Sequence, residues 1–320
     1  MKILITGGAG FIGSHLASVL LEAGHQVHLL DDLSTGRRQN VEPLLGDRCL
    51  LQQQRVGEAM QHFAWLQDFD QIYHLAAAVG VQLIVDDPVH TIETNITETT
   101  AVVRAAATFS IPVLLTSTSE VYGKSQQVPF REDDDVTYGA TIFNRWSYAT
   151  TKAIDEYLAL AHHQQHHLPV VVARLFNTVG PGQLGRYGMV LPRFVSAAVA
   201  NEPLRIFGDG RQSRCFCHVA DVTDALPKLL SNEACHGRVF NLGSDQEVTI
   251  EQLADRVIER AGSRSEKQFI PYDEAYGARF DDLRRRVPCL ERVREAIGFE
   301  PTRTLDQIID ELVALEQKGS

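Results

Sequence analysis

Short apolar runs and stretches of helical period alternate along the first half of this chain. Lys2–Thr6 is an apolar run that passes straight into Gly7-Gly8-Ala9-Gly10. From Ser14 to Ala23 the positions Leu16, Val19 and Leu20 fall on one side of a helix, and Gly24 closes it. Gln26–Leu30, Gln71–Leu75, Val113–Thr116 and Val170–Ala173 are further short runs, separated by helical patterns such as Thr94–Phe109 and Tyr148–His162. Apolar strands alternating with helices predict a parallel sheet covered on both faces, an α/β fold of the doubly wound, Rossmann type. The segment 46–70 carries the weakest strand pattern of this half.

Past Asn177 the character changes. Gly180, Pro181, Gly182, Gly185 and Gly188 crowd a loop-rich stretch, Val239–Leu242 resumes a strand, and Ile250–Ala261 and Leu305–Leu315 are amphipathic helices. The expected division is a larger domain of residues 1–177 plus 216–245 and a smaller C-terminal α/β lobe of 178–215 plus 246–320. The smaller lobe should cap the carboxyl ends of the strands, where open α/β sheets bind ligands.

The first turn carries chemistry. Gly7, Gly10 and Gly13 are spaced G-x-x-G-x-x-G between a strand and a helix. Such a turn lets backbone approach a pyrophosphate seated on the helix N-terminus. Asp31 ends the next strand 18 residues beyond Gly13, close to the spacing of an acid that binds an adenosine ribose. A carboxylate there repels a 2′-phosphate and favours NAD over NADP, although Arg37 and Arg38 stand near enough in sequence to pair with such a phosphate.

Composition narrows the partners. The 320 residues carry a formal charge of −11. That argues against sequence-independent nucleic-acid binding and against an anionic membrane surface. No apolar run approaches the ~20 residues of a membrane span, and a cytoplasmic protein is expected. Cys49, Cys215, Cys217, Cys235 and Cys289 read as reduced thiols. The alternation of Cys215 and Cys217 fits one short buried strand. His162, His163, His166 and His167 read as a surface cluster, and no metal is expected.

Tyr148 and Lys152 stand one helical turn apart and can share a helix face. A phenol titrates near roughly pH 10 and needs a nearby ammonium and a hydroxyl donor to serve as a base near neutrality. Thr118 or Ser119 can supply the hydroxyl.

The glycine-rich start, the Ser/Thr-rich segment ending a middle strand and the Tyr-x-x-x-Lys together resemble the extended short-chain dehydrogenase/reductase family of nucleotide-sugar epimerases, dehydratases and decarboxylases. The resemblance runs end to end. It includes Tyr73-His-Leu-Ala-Ala77, Asn95, Thr116-Ser-Thr-Ser-Glu-Val-Tyr-Gly123, Arg174-Leu-Phe-Asn177 with Gly180-Pro181, and Asn241-Leu-Gly243. It implies that NAD is held by Gly7, Gly10, Phe11, Ile12, Gly13, Asp31, Asp32, Thr35, Gly36, Leu75, Ala76, Ala77 and Asn95, together with Tyr148 and Lys152. It makes Tyr148 the base for the sugar 4-hydroxyl, and Lys152 the cation that lowers its pKa and holds the nicotinamide ribose. Thr118 then bonds the sugar O4. Asn177, Val190 and Arg214 fall near the nucleotide sugar, which is UDP-linked by the same resemblance. It also implies a homodimer formed by the two long helices. One departure stands out: the family's aspartate and apolar residue after the third strand, which contact adenine, correspond to Gln52-Gln-Gln-Arg55-Val56 here.

The family's reactions share oxidation at C4 and differ afterwards. Glu120 points toward dehydratases or decarboxylases rather than simple 4-epimerases. Ser119-Glu120 lacks the aspartate that glucose-nucleotide 4,6-dehydratases use as an acid. Arg145-Trp-Ser-Tyr148, and Tyr276-Gly277 with Asp281-Asp282 and Arg286-Val-Pro288, resemble UDP-glucuronate decarboxylases, which maps an active-site arginine onto Arg286, with Arg284 and Arg285 as alternatives. Decarboxylation of UDP-glucuronate to a UDP-pentose is the leading expectation. A UDP-sugar 4-epimerase, a 4,6-dehydratase and a catalytically silent NAD-binding regulatory module are the alternatives.

Overall fold

The structure is a computed structural model that describes residues 1–78, 87–185, 189–276 and 283–319. Gly188, Gly277–Phe280 and Asp281-Asp282 lie outside the described residues.

The strands are β1 (Lys2–Thr6), β2 (Gln26–Asp31), β3 (Cys49–Gln53), β4 (Gln71–His74), β5 (Val113–Thr118), β6 (Val170–Leu175) and β11 (Arg238–Leu242) in one sheet, with β7 (Thr178–Val179), β8 (Leu204–Phe207), β9 (Ser213–Cys215), β10 (Cys217–His218), β12 (Glu247–Thr249) and β13 (Lys267–Ile270) outside it. The main sheet has seven strands in the order β11-β6-β5-β4-β1-β2-β3. Every pairing within it is parallel. The weak pattern of 46–70 does contain a strand: β3 sits at the sheet edge, where Leu50 is exposed, so it lacks the apolar density of the inner strands. The strand order reverses between β1 and β4, and the crevice at such a reversal is where doubly wound sheets bind ligands.

The long helices are α1 (Phe11–Glu22), α2 (Pro88–Phe109), α3 (Arg145–His166), α4 (Val190–Val199), α5 (Val219–Ser231), α6 (Ile250–Ala261), α7 (Glu291–Ile297) and α8 (Leu305–Gly319). Helix α2 begins earlier than its apolar period, because the Asp87 side chain accepts the His90 N–H and Pro88 fills the first turn. In α6 a reciprocal cap joins Thr249 and Gln252, and Gly262 ends the helix in the left-handed region. One apolar cluster joins α1, α5 and one sheet face; a second joins α2, α3 and the other face. A third core lies outside the sheet, around Leu191, Phe194, Leu204, Leu253, Val257, Ile308 and Ile309. Helix α7 packs instead with the first cluster, through Leu290, Val293 and Phe299.

Cys215 and Cys217 do not share a strand. Strand β9 pairs antiparallel with β12 and β10 pairs parallel with β7, so at Phe216 the chain passes from one two-stranded sheet to another.

Candidate active site

A cavity of about 610 Å³ runs along the carboxyl ends of β3, β2, β1, β4, β5 and β6 and continues beneath the smaller lobe. Gly7, Gly10, Phe11, Ile12 and Gly13 line its floor. The geometry here is set by absent side chains. A Cβ on Gly13 would lie 2.3 Å from the Gly7 carbonyl oxygen, and one on Gly7 would lie 2.7 Å from the Ala76 nitrogen. Gly10 caps α1 without a side-chain hydrogen bond, and the first turn holds no acidic residue. The opening N–H groups of α1 are therefore left for an anionic ligand. Asp31 ends β2, accepting the Ala9 N–H at 2.9 Å and the Leu33 N–H at 2.8 Å. Burial pushes its carboxyl up from the usual range. Asp32, Thr35, Leu75, Ala76 and Ala77 also line the cavity.

Two expected cofactor residues act from behind the wall, since neither Gly36 nor Asn95 lines the cavity. A Cβ on Gly36 would lie 2.7 Å from Asp31 Oδ1, so Gly36 makes room for that carboxylate. The Asn95 side chain accepts the Ala78 N–H at 2.8 Å and donates to the Ala78 carbonyl at 3.3 Å, fixing the loop after β4. Arg37 and Arg38 do not line the cavity, and Arg38 pairs with Glu42 on the surface.

The middle of the cavity holds Thr118, Ser119, Glu120, Tyr148 and Lys152. Thr118 closes β5 and accepts the Glu120 N–H at 3.2 Å through its hydroxyl oxygen, which keeps its own proton to donate. Tyr148 and Lys152 project from α3, both buried. Lys152 Nζ donates to Asp155 Oδ2 at 3.0 Å, one turn further along the helix. Beneath them His74 bridges Thr6 at 2.7 Å and Thr99 at 3.1 Å, and its pKa is lowered to about 3, chiefly by burial and then by Lys152. A second buried pair, Arg174–Glu156 at 2.7 Å, also binds Ser117 of the cavity wall, so Arg174 braces the site rather than lining it.

At the far end Asn177, Val190, Arg214 and Arg286 line the cavity. Asn177 adopts φ +31° and donates to the Cys215 carbonyl at 2.8 Å. Arg214 reaches the Leu283 carbonyl at 3.0 Å. Backbone bonds hold the 283–289 segment on both sides: Ser213 donates to Arg284, and Phe130 donates to Val287, each at 2.8 Å. That tether aims Arg286 at Glu120, with Nη1 3.4 Å from Oε1 and each side chain 10% exposed. Arg284 and Arg285 point elsewhere. The first is 78% exposed and faces Asp209, and the second pairs with Glu247.

Compared with known proteins, residues 3–243 match the model of the NAD dependent epimerase/dehydratase family. The chain belongs to that family. NAD is its cofactor, and the glycine floor, the uncapped helix start and Asp31 fit that dinucleotide. Among relatives, the UDP-N-acetyl-alpha-D-glucosaminuronate decarboxylase of Bacillus cytotoxicus is 36% identical over 313 residues, covering 98% of this chain and 96% of that protein. UDP-glucuronic acid decarboxylase 1 of Arabidopsis thaliana is 34% identical, covering 98% of this chain and 69% of that protein. Among solved structures, UDP-glucuronic acid 4-epimerase from Bacillus cereus, in complex with UDP-glucuronic acid and NAD, superposes with a TM-score of 0.88 at 26% identity over the whole of both chains.

Some residues of the site had no motif to announce them. Glu98 of α2 lies within a stretch that reads as an ordinary polar helix face, yet it is buried at the cavity wall. Asp155 follows Lys152 at a spacing that a helix brings together, and that was the available signal. Arg193, Arg205, Phe207, Gln212 and Tyr272 of the smaller lobe have none. Among the described residues no group of three His, Cys, Asp or Glu is placed to hold a metal ion.

Proposed function

We propose that this family member decarboxylates a UDP-linked hexuronate to a UDP-pentose through a transient 4-keto sugar. The observation that carries the reading is the buried Glu120–Arg286 pair in the cavity that also holds Thr118, Tyr148 and Lys152. An epimerase handling a neutral sugar has no evident use for a guanidinium there. A uronate has one, because the fork of an arginine pairs with a carboxylate. The decarboxylase names of the relatives support the same choice.

When bound, NAD supplies the hydride acceptor for C4 and returns the hydride at the end. Tyr148, as the phenolate that Lys152 steadies, takes the O4 proton and becomes the neutral phenol. Thr118 donates a hydrogen bond to O4 as it becomes a carbonyl. The product of that step is a β-keto acid, whose C5–C6 bond breaks as CO₂ leaves and the electron pair passes into the C4–C5 enolate. Arg286 holds the carboxylate or diphosphate beforehand and stands near C5 when the proton returns. Asn177, Val190 and Arg214 contact the nucleotide diphosphate side. The identity of the uronate has two readings, glucuronate and its 2-acetamido counterpart, and the Bacillus cytotoxicus relative favours the second.

The test is to incubate the protein with NAD⁺ and each of UDP-glucuronate and UDP-N-acetylglucosaminuronate, then weigh the nucleotide sugar. Loss of 44 mass units, on the order of one CO₂, supports the reading. Unchanged mass with inversion at C4 replaces it with epimerisation.

We also propose a cytoplasmic homodimer formed through α2 and α3. Exposed Ile154 and Tyr157 on α3 and Val89 on α2 support this interface.

A further inference from the structure

The dinucleotide end of the cavity has a wall that the motifs do not explain. The glycine floor seats the pyrophosphate at β1, and Tyr148 lies toward β5 and β6. The adenosine half must therefore extend the other way, past Asp31 on β2 toward β3. The residues waiting there are Arg55 and Val56, just beyond β3, and Glu98, reaching across from α2.

Glu98 is unusual among them. It is 8% exposed, yet among the described residues no donor lies within hydrogen-bonding distance of its carboxylate. Its nearest cation, Arg55 Nε, is 3.9 Å away on a half-exposed side chain. Asp31, Asp32 and Glu58 add negative charge around it. Glu98 lines the cavity, so a ligand that displaces the water there has to supply a donor in its place. Burial, eased by Arg55 and reinforced by those carboxylates, raises its pKa to about 7. Val56 offers an apolar face beside it for a flat base. Adenine carries an exocyclic amine, and its 6-amino N–H is a donor of the missing kind.

We propose that Glu98 recognises the adenine 6-amino group of the dinucleotide, a task for which Arg55 after β3 has no acceptor. Arg55 then balances the Glu98 charge from the solvent side. The chain thereby reads the base from α2 rather than from the end of β3. This assignment concerns dinucleotide binding alone and does not depend on which sugar reaction follows.

The test compares NAD⁺ with nicotinamide hypoxanthine dinucleotide, which carries a carbonyl oxygen where adenine carries the amine. Dissociation constants are measured by calorimetry on the intact protein without any nucleotide sugar. Wild type should bind NAD⁺ tighter by about tenfold or more, the scale of a hydrogen bond to a charged group. Glu98→Gln, whose amide can accept or donate, should bring the ratio near one. Wild-type affinities within about twofold of each other overturn the assignment, and this arm needs no variant to fold. A Glu98→Gln protein that weakens both dinucleotides equally and keeps the wild-type ratio also overturns it. That outcome makes Glu98 a brace between the Val56–Ala59 helix and α2. Thermal unfolding of the variant without ligand separates either result from misfolding.

Discussion

The two ends of the cavity are built on different principles. The dinucleotide end rests on backbone: a turn whose glycines admit no Cβ, an uncapped helix start, and one carboxylate held by two N–H groups. The sugar end rests on side chains that arrive from distant segments. Thr118 ends β5 and Glu120 follows it, Tyr148 and Lys152 ride on α3, Arg214 comes from β9, and Arg286 from a segment tied to Ser213 and Phe130. The first end tolerates little local change and serves one cofactor. The second is assembled from segments far apart in sequence, so each of its side chains can be exchanged separately.

The comparison can be broken first at Tyr148. Tyr148→Phe should lower turnover by about 10²–10⁴-fold, the range of a lost general base, while calorimetry still shows NAD⁺ binding. Loss of NAD⁺ binding instead would tie the two ends together. Arg286→Ala comes next. It removes the guanidinium that faces Glu120 where each side chain is 10% exposed. Stability should drop by about 3 kcal/mol, read from the urea midpoint, and CO₂ release should fall with it. Glu120→Gln should depress decarboxylation while sparing NAD⁺ affinity; an unchanged rate removes Glu120 from the reaction.

Gly13→Ala probes the other end. Its Cβ meets the Gly7 carbonyl oxygen and the Gly8 backbone, which cannot swing aside. We expect a cost of about 1–3 kcal/mol and a clear loss of NAD⁺ affinity. Wild-type binding by that variant would show the turn to be softer than its packing indicates.

The smallest effect concerns pH. His74, on β4 between the two ends, is pushed down from 6.5 to about 3, so the unfolded chain takes up a proton that the fold refuses. Its contribution to stability is complete above pH 6.5 and is lost as pH falls toward 3. The slope is at most about 1.4 kcal/mol per pH unit. Unfolding midpoints at pH 7.5 and about 5.5 should differ more in wild type than in His74→Asn. Equal differences would clear His74 of the effect.

Much of this was legible along the chain. Strands β1, β2, β4, β5 and β6 follow from their apolar runs, and the glycine turn with Asp31 marks the dinucleotide site, because those contacts are local and backbone-made. Strand β3 was faint because one face of an edge strand is wet. Tyr148 and Lys152 could be paired from helix period alone. The choice among Arg284, Arg285 and Arg286 could not, since adjacent residues differ only in which way the tethered segment turns them.

The amino-acid sequence thus determined the sheet, the glycine cradle, the Tyr148–Lys152 face and the family, all carried by short-range spacing. Tertiary structure alone decided that Arg286 meets Glu120 across 166 residues, that Asp155 holds Lys152, and that Glu98 stands buried beside Arg55 at the adenosine end. The physical reason is burial. A carboxylate on a helix face looks like a solvated charge in sequence, and becomes a binding group only where packing removes its water and leaves it facing a cavity.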